Sequence, residues 1–331
     1  VHERPRGFPD ATLTVALAEH WGLAVTGLDY LPVGFGGYHW AVAATDGRRW
    51  FVTLSEAAGD EAFADLAATM AVAASLTDRP GLDFVVGPAR TSAGQAAARV
   101  RPGWAVTVTP FADGQPGHFE DNLAPADRAE LTCMLAALHR AEPPAGTPLR
   151  ALHLPGRALL ELSIGERPGS WPAAGPYGEP ARELVAGHAA GLRRALAAFD
   201  RLAPQVAESG ALVLTHGEPH PGNLIRSRGR YLLIDWDTAG LAPPERDLWR
   251  VLPDPATDPA GYAELADRYG ELTGHEVSTA AVAVYRLRWD LDDISLFLAD
   301  FRAPHRRTAD TRVAWSGLAD AVRRVAGPAR S

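Results

Sequence analysis

Between residues 23 and 111 the apolar positions fall in short blocks broken by glycine, proline and charged turns, whereas beyond residue 118 they recur every three or four positions. The first pattern predicts strands and the second predicts helices. Leu13, Leu17 and Trp21 place a helix over 10–21. YLPVGFGGYHWAVAA and WFVTL, on either side of the TDGRR turn, predict a hairpin, and EAFADLAATMAVAASL (61–76) predicts a helix. FVVGPA, AAARVR and WAVTVTPF add three strand signals. After the turn-rich ADGQPG, helices are expected at 124–141, 181–203, 259–272, 278–302 and 309–325, with strands only at 211–215, 223–227 and 231–236. The Pro- and Gly-rich segment 164–180 reads as a long loop. The expected organisation is α+β: a β-rich lobe over 1–108, a hinge at 109–117 and a mostly helical lobe over 118–331.

Composition narrows the chemistry. A formal charge of −8 gives no basis for nucleic-acid binding. No apolar run approaches the ~20 residues that cross a bilayer, and VHERPRGFPD has no signal-peptide character, so the expectation is a cytoplasmic monomer or homodimer. The single cysteine, Cys133, lies in an amphipathic pattern and reads as a structural thiol. All 32 basic residues are arginines, which excludes lysine Schiff-base chemistry and a phosphate-loop lysine.

The densest chemistry lies in VLTHGEPHPGNLIRSRGRYLLIDWD, residues 213–237. A buried strand leads into a loop that two prolines and two glycines keep irregular, and a hairpin through SRGR follows. The hairpin brings Asp235 back beside Asn223. An amide oxygen beside a carboxylate makes a hard, oxygen-lined site suited to Mg²⁺. Glu218, five residues before Asn223, can face the same site as a proton acceptor. His216, Glu218 and His220 also allow a zinc reading, but on a Pro-broken loop the two imidazoles lack the shared face of a helical i, i+4 pair.

The motifs THGEPHPGN, LIDWD and PPERDLW together resemble the aminoglycoside phosphotransferase family of protein-kinase-like small-molecule kinases. The resemblance implies a protein-kinase-like bilobal fold. It also implies transfer of phosphate from ATP or GTP, with Mg²⁺, to a hydroxyl of an antibiotic or similar small molecule. By position it makes Glu218, where the family usually has Asp, the catalytic acid/base. Asn223 and Asp235 become metal ligands, His216 a loop-shaping residue and Asp247 a brace. Asp237 is a further candidate metal contact.

On the nucleotide side, Gly34, Gly36 and Gly37 in VGFGGYHW offer a backbone turn that phosphates can approach, with His39 beside it. The resemblance places the hinge at VTVTPFADG, where backbone between Val108 and Phe111 would meet the purine. It also calls for a lysine on the strand RRWFVTL, where Thr53 stands, so His39, Arg48 and Arg49 become candidates for phosphate contact and Glu61 for the lysine's partner. On the substrate side, Asp290, Asp293 and Trp289 share a region of a late helix, and Trp171 and Tyr177 are candidates to cap a pocket. The alternative function is a catalytically silent small-molecule or nucleotide binder, for which Thr53 is the motive.

Overall fold

The computed structural model describes residues 3–327 apart from 35, 120, 167–170, 172–173 and 210. The chain divides into two compact units, residues 1–150 with 211–277 and residues 151–210 with 278–331.

The first unit opens with helix α1 (Asp10–Trp21), which stops at Gly22 in a left-handed cap. Strands β1 (Val25–Leu31), β2 (Gly37–Ala44), β3 (Arg49–Glu56), β4 (Ala98–Arg101) and β5 (Trp104–Pro110) form an antiparallel sheet of order β1-β2-β3-β5-β4. Period-two alternation decides the faces. Trp40, Val42, Val52, Leu54, Val106 and Val108 turn inward and pack with Leu13 and Leu17 of α1. His39 and Thr53, one step out of phase, face the other way as a cross-strand pair. Helix α2 (Gly59–Leu76) follows β3.

The rest of this unit contains β6 (Gln115–Pro116), α3 (Pro125–Arg140), β7 (Val213–Thr215), β8 (Leu224–Ser227), β9 (Arg230–Leu233), β10 (Gly240–Ala242), α6 (Glu245–Val251) and α7 (Pro259–Thr273). β8 and β9 form the hairpin expected at SRGR; Arg228 and Gly229, at φ 49° and 82°, make its two-residue turn.

The second unit is helical, with α4 (Arg157–Gly165), α5 (Gly178–Ser209), α8 (Thr279–Arg302) and α9 (Ala309–Ala326). A side chain on Gly191 would put its Cβ 2.5 Å from Ala326, so the glycine sets how closely α5 and α9 approach. Trp171 is buried beneath the Arg302 guanidinium, which also pairs with Glu166. Tyr177 packs on Phe301 and Trp315. Both aromatics therefore belong to the packing of this unit and are not loose caps.

The structure departs from the sequence pattern in several places. The 30–44 run is the end of one strand and the whole of another, interrupted around Gly34 and Gly36, whose φ angles are 69° and 79°. FVVGPA is not a strand: Val85 bridges to Leu233 and Ala89 N donates to the Val108 carbonyl, but Pro88 between them has no N–H and Gly87 packs against α2. Helices α4 and α6 and strands β6 and β10 have no counterpart among the expected elements. The expected loop 164–180 falls partly on α4 and α5 and partly outside the described residues.

Candidate active site

β7 pairs with β10, Thr215 opposite Gly240, and the loop 216–223 leaves from the end of β7. Asp247 holds the start of that loop. Its carboxylate accepts from His216 N at 2.8 Å, Gly217 N at 2.6 Å and His139 Nε2 at 3.1 Å, and the side chain is fully buried. Burial alone would push this carboxyl up, but the His139 bond and the nearby positive charge hold it below the ordinary value. Its contribution to stability is therefore present above the unfolded-state pKa and lost as the pH falls through the lowered folded value. An Asp247→Ala chain is expected to lose about 3–5 kcal/mol in urea or thermal unfolding, since it strands two backbone donors and His139.

Gly217, at φ 101°, has no room for a side chain: a Cβ would collide with the Arg246 guanidinium. That guanidinium donates to Thr215 Oγ1 and to the Thr238 carbonyl, tying both sides of the loop together. His216 Nε2 donates to the Ile234 carbonyl and its Nδ1 accepts from Glu218 N, which fixes a neutral tautomer. Burial pushes its pKa down to about 4. With both ring nitrogens engaged it cannot ligate zinc, and the described residues contain no group of three His, Cys, Asp or Glu side chains that could hold a metal.

A 3₁₀ turn over 221–223 sets Asn223 against Glu218. Asn223 Nδ2 donates to the Glu218 carbonyl at 2.9 Å and approaches His220 Nε2 at 3.3 Å. The amide nitrogen is thereby fixed, and Oδ1 is the end left to bind a cation. Ile234 N donates to the Asn223 carbonyl at 3.0 Å, which brings Asp235 alongside as the hairpin reading expected. Asp235 itself has φ 64°, a left-handed conformation that ends β9 at Leu233, earlier than the alternation predicted.

Asp235 and Asp237 open onto a cavity of about 200 Å³, whose wall also includes Gly36, Gly37, His39 and Thr53. Water reaches both residues through the cavity, yet protein packs closely around their carboxylates. Burial, then Asp237 and then Glu218, raise the Asp235 carboxyl well above its ordinary value. Burial also raises Asp237, while the Arg150 charge opposes the rise. Glu218, Asn223 and Asp235 are thus brought together, through backbone and amide contacts and through the charge that Glu218 exerts on Asp235.

His39 Nδ1 lies 3.1 Å from Thr53 Oγ1, and its ring stacks on Phe51 at 5.0 Å. Burial lowers its pKa to about 4, so it is neutral. A Cβ on Gly37 would come within 3.1 Å of both His39 and Thr53, so the glycine turn lies directly over this pair. Arg48 and Arg49 do not line the cavity: Arg48 pairs with Asp46, and Arg49 pairs with Asp113 and stacks on Phe111. Glu61 is not in the wall either; Asp65, one turn further along α2, is. Within the expected hinge, the Val108 carbonyl accepts from Ala89 N and Phe111 N–H donates to the Arg49 carbonyl, so these two of its backbone groups bond within the protein. In the second unit, Asp290 pairs with Arg324, while burial and then Asp290 raise Asp293 to about 6, opposed in part by a bond from Trp289.

Sequence reasoning missed Asp65 and Arg150. Glu61 and Asp65 are both acids near the start of α2, and only the packing of the helix chooses between them. Arg150 lies 85 residues from Asp65 in sequence, and no local signal links the two.

The model of the phosphotransferase enzyme family matches residues 30–282. Protein StrN of Streptomyces griseus is 27% identical over 258 residues, 73% of each chain. A spectinomycin phosphotransferase, APH(9)-Ia, solved with ADP and spectinomycin, superposes with a TM-score of 0.72 at 17% identity, covering 94% of this chain and 93% of that one. An amicoumacin kinase, hAmiN, solved with AMP-PNP and Ca²⁺, superposes with a TM-score of 0.64 at 12% identity, covering 96% and 93%.

Proposed function

The chain belongs to the phosphotransferase enzyme family, and from that premise we propose that it moves the γ-phosphoryl group of ATP or GTP to a hydroxyl of a small molecule, an aminoglycoside-like or other antibiotic. The observation that carries this reading is the bond from Ile234 N to the Asn223 carbonyl, which brings the backbone that bears the Asp235 carboxylate next to the residue that bears the Asn223 amide, whose nitrogen is held by the Glu218 carbonyl. An oxygen pair of this kind fits Mg²⁺. Asn223 and Asp235 would hold the ion, which when bound neutralises phosphate charge.

The residues then divide the work. The Glu218 carboxylate takes the proton of the acceptor hydroxyl as its oxygen bonds to the γ-phosphorus. The bond from that phosphorus to the bridging oxygen breaks, and the nucleoside diphosphate leaves. Backbone N–H groups of the Gly36–Gly37 turn and the neutral His39 face the phosphates. The acceptor class is supported by relatives named for spectinomycin and macrolides. Within the second unit, Asp293 beside Trp289 and Asp290 is a candidate to meet a cationic group.

The cavity wall includes Glu56, Asp65, Asp235 and Asp237 and, among the described residues, no arginine. Divalent cations would offset the repulsion between such a wall and a triphosphate. Transfer of label from γ-labelled ATP or GTP to spectinomycin, aminoglycosides or macrolides is therefore expected with Mg²⁺ and lost on adding EDTA. Mg–nucleotide binding with no transfer to any acceptor across that panel would instead support a silent binder, the reading that Thr53 favours.

A further inference from the structure

Asp65 faces the cavity from α2, and its cation is Arg150, which follows α3 in the chain. Arg150 Nη1 contacts both Asp65 oxygens, at 2.9 and 3.0 Å. Its Nη2 donates to Thr69 Oγ1 at 2.6 Å, one turn along the same helix, and Thr69 is fully buried. Its Nε donates to the Ala239 carbonyl at 3.1 Å, in the segment that carries Asp235 and Asp237. One planar guanidinium thus joins α2 to the metal-side acids.

The surroundings hold the arginine in place. Arg150 N donates to the Leu241 carbonyl and Leu241 N to the Pro148 carbonyl. Gly240 leaves the space its side chain crosses: a Cβ there would lie 2.6 Å from Arg150 Cγ and 3.0 Å from Nε. An ion pair this accessible adds little to stability, whereas a three-way planar contact fixes position.

Resting on the proposed phosphotransferase reading, we infer that Arg150 is a positioning residue: it holds α2, through Asp65 and Thr69, against the Trp236–Gly240 segment, and so sets the spacing of the nucleotide cavity in a chain that has no lysine to do so. An ångström of misplacement at such a site costs up to ~100-fold.

The test is calorimetric binding of Mg²⁺ with AMP-PNP or GMP-PNP to the full chain, with far-UV circular dichroism to establish folding. Arg150→Met and Asp65→Asn are each expected to weaken binding about tenfold or more, and the double variant no further than the worse single one. Arg150→Lys is expected not to restore binding, since one ammonium cannot span Asp65, Thr69 and Ala239. Should Arg150→Met not fold, Asp65→Asn carries the same test. Wild-type binding that Arg150→Met and Asp65→Asn leave within about twofold overturns this inference alone. Wild-type failure to bind either Mg–nucleotide analogue overturns the phosphotransferase reading, and this inference with it.

Discussion

Asp235→Asn is expected to lower phosphoryl transfer by about 1,000-fold or more, because it removes the one formal charge from the proposed ion-binding pair. Asparagine is the informative substitution. It tolerates the φ of 64° at this position, where alanine would add backbone strain to the loss of charge. The same variant is expected to melt above the wild type in EDTA at neutral pH. The Asp235 carboxyl titrates above its ordinary 3.8 in the folded chain, raised by burial and by Asp237 and Glu218. Between 3.8 and the raised value the folded chain keeps a proton that the unfolded chain releases, so stability falls as the pH rises through that window. Above 3.8 the raised carboxyl therefore opposes folding, and an uncharged amide removes that opposition. A variant that loses activity while gaining thermal stability separates a site role from a scaffold role. Equal activity in wild type and variant would remove Asp235 from the mechanism.

The second large effect is expected at Glu218. Glu218→Gln keeps the size of the side chain and the backbone contacts through which Glu218 positions Asn223, but it cannot take a proton. Transfer is expected to fall by about 100- to 10,000-fold with Mg–nucleotide affinity within about threefold of wild type. Glu218→Asp, which shortens the reach by one methylene, is expected to retain part of the rate. Single-turnover transfer at saturating nucleotide reads the difference. A loss seen wholly in nucleotide affinity would assign Glu218 to binding instead.

Much of this architecture is written in local patterns. Leu13, Leu17 and Trp21 mark α1, the SRGR turn marks the β8–β9 hairpin, and the five-residue interval from Glu218 to Asn223 marks the loop that sets them together. Such features depend on neighbours within a few residues, where period and turn chemistry act directly. What escaped depends on distant partners or on short elements. Nine-residue α4 is too short for its periodicity to stand out, and α6 is obscured by the prolines that precede it, although proline suits a helix start. The left-handed Asp235 ends β9 against its apolar alternation, at the position to which the proposed mechanism assigns the ion. The Arg150–Asp65 contact joins segments far apart in sequence, and the choice of Asp65 over Glu61 is made by helix packing alone.

The most direct measurement is a crystal structure of the chain with Mg²⁺ and AMP-PNP or GMP-PNP. An ion bound to Asn223 Oδ1 and an Asp235 oxygen at about 2.0–2.1 Å, with the terminal phosphate beside Glu218, is the expected result. An ion held by other residues, with Asn223 and Asp235 turned away from the phosphates, would contradict it.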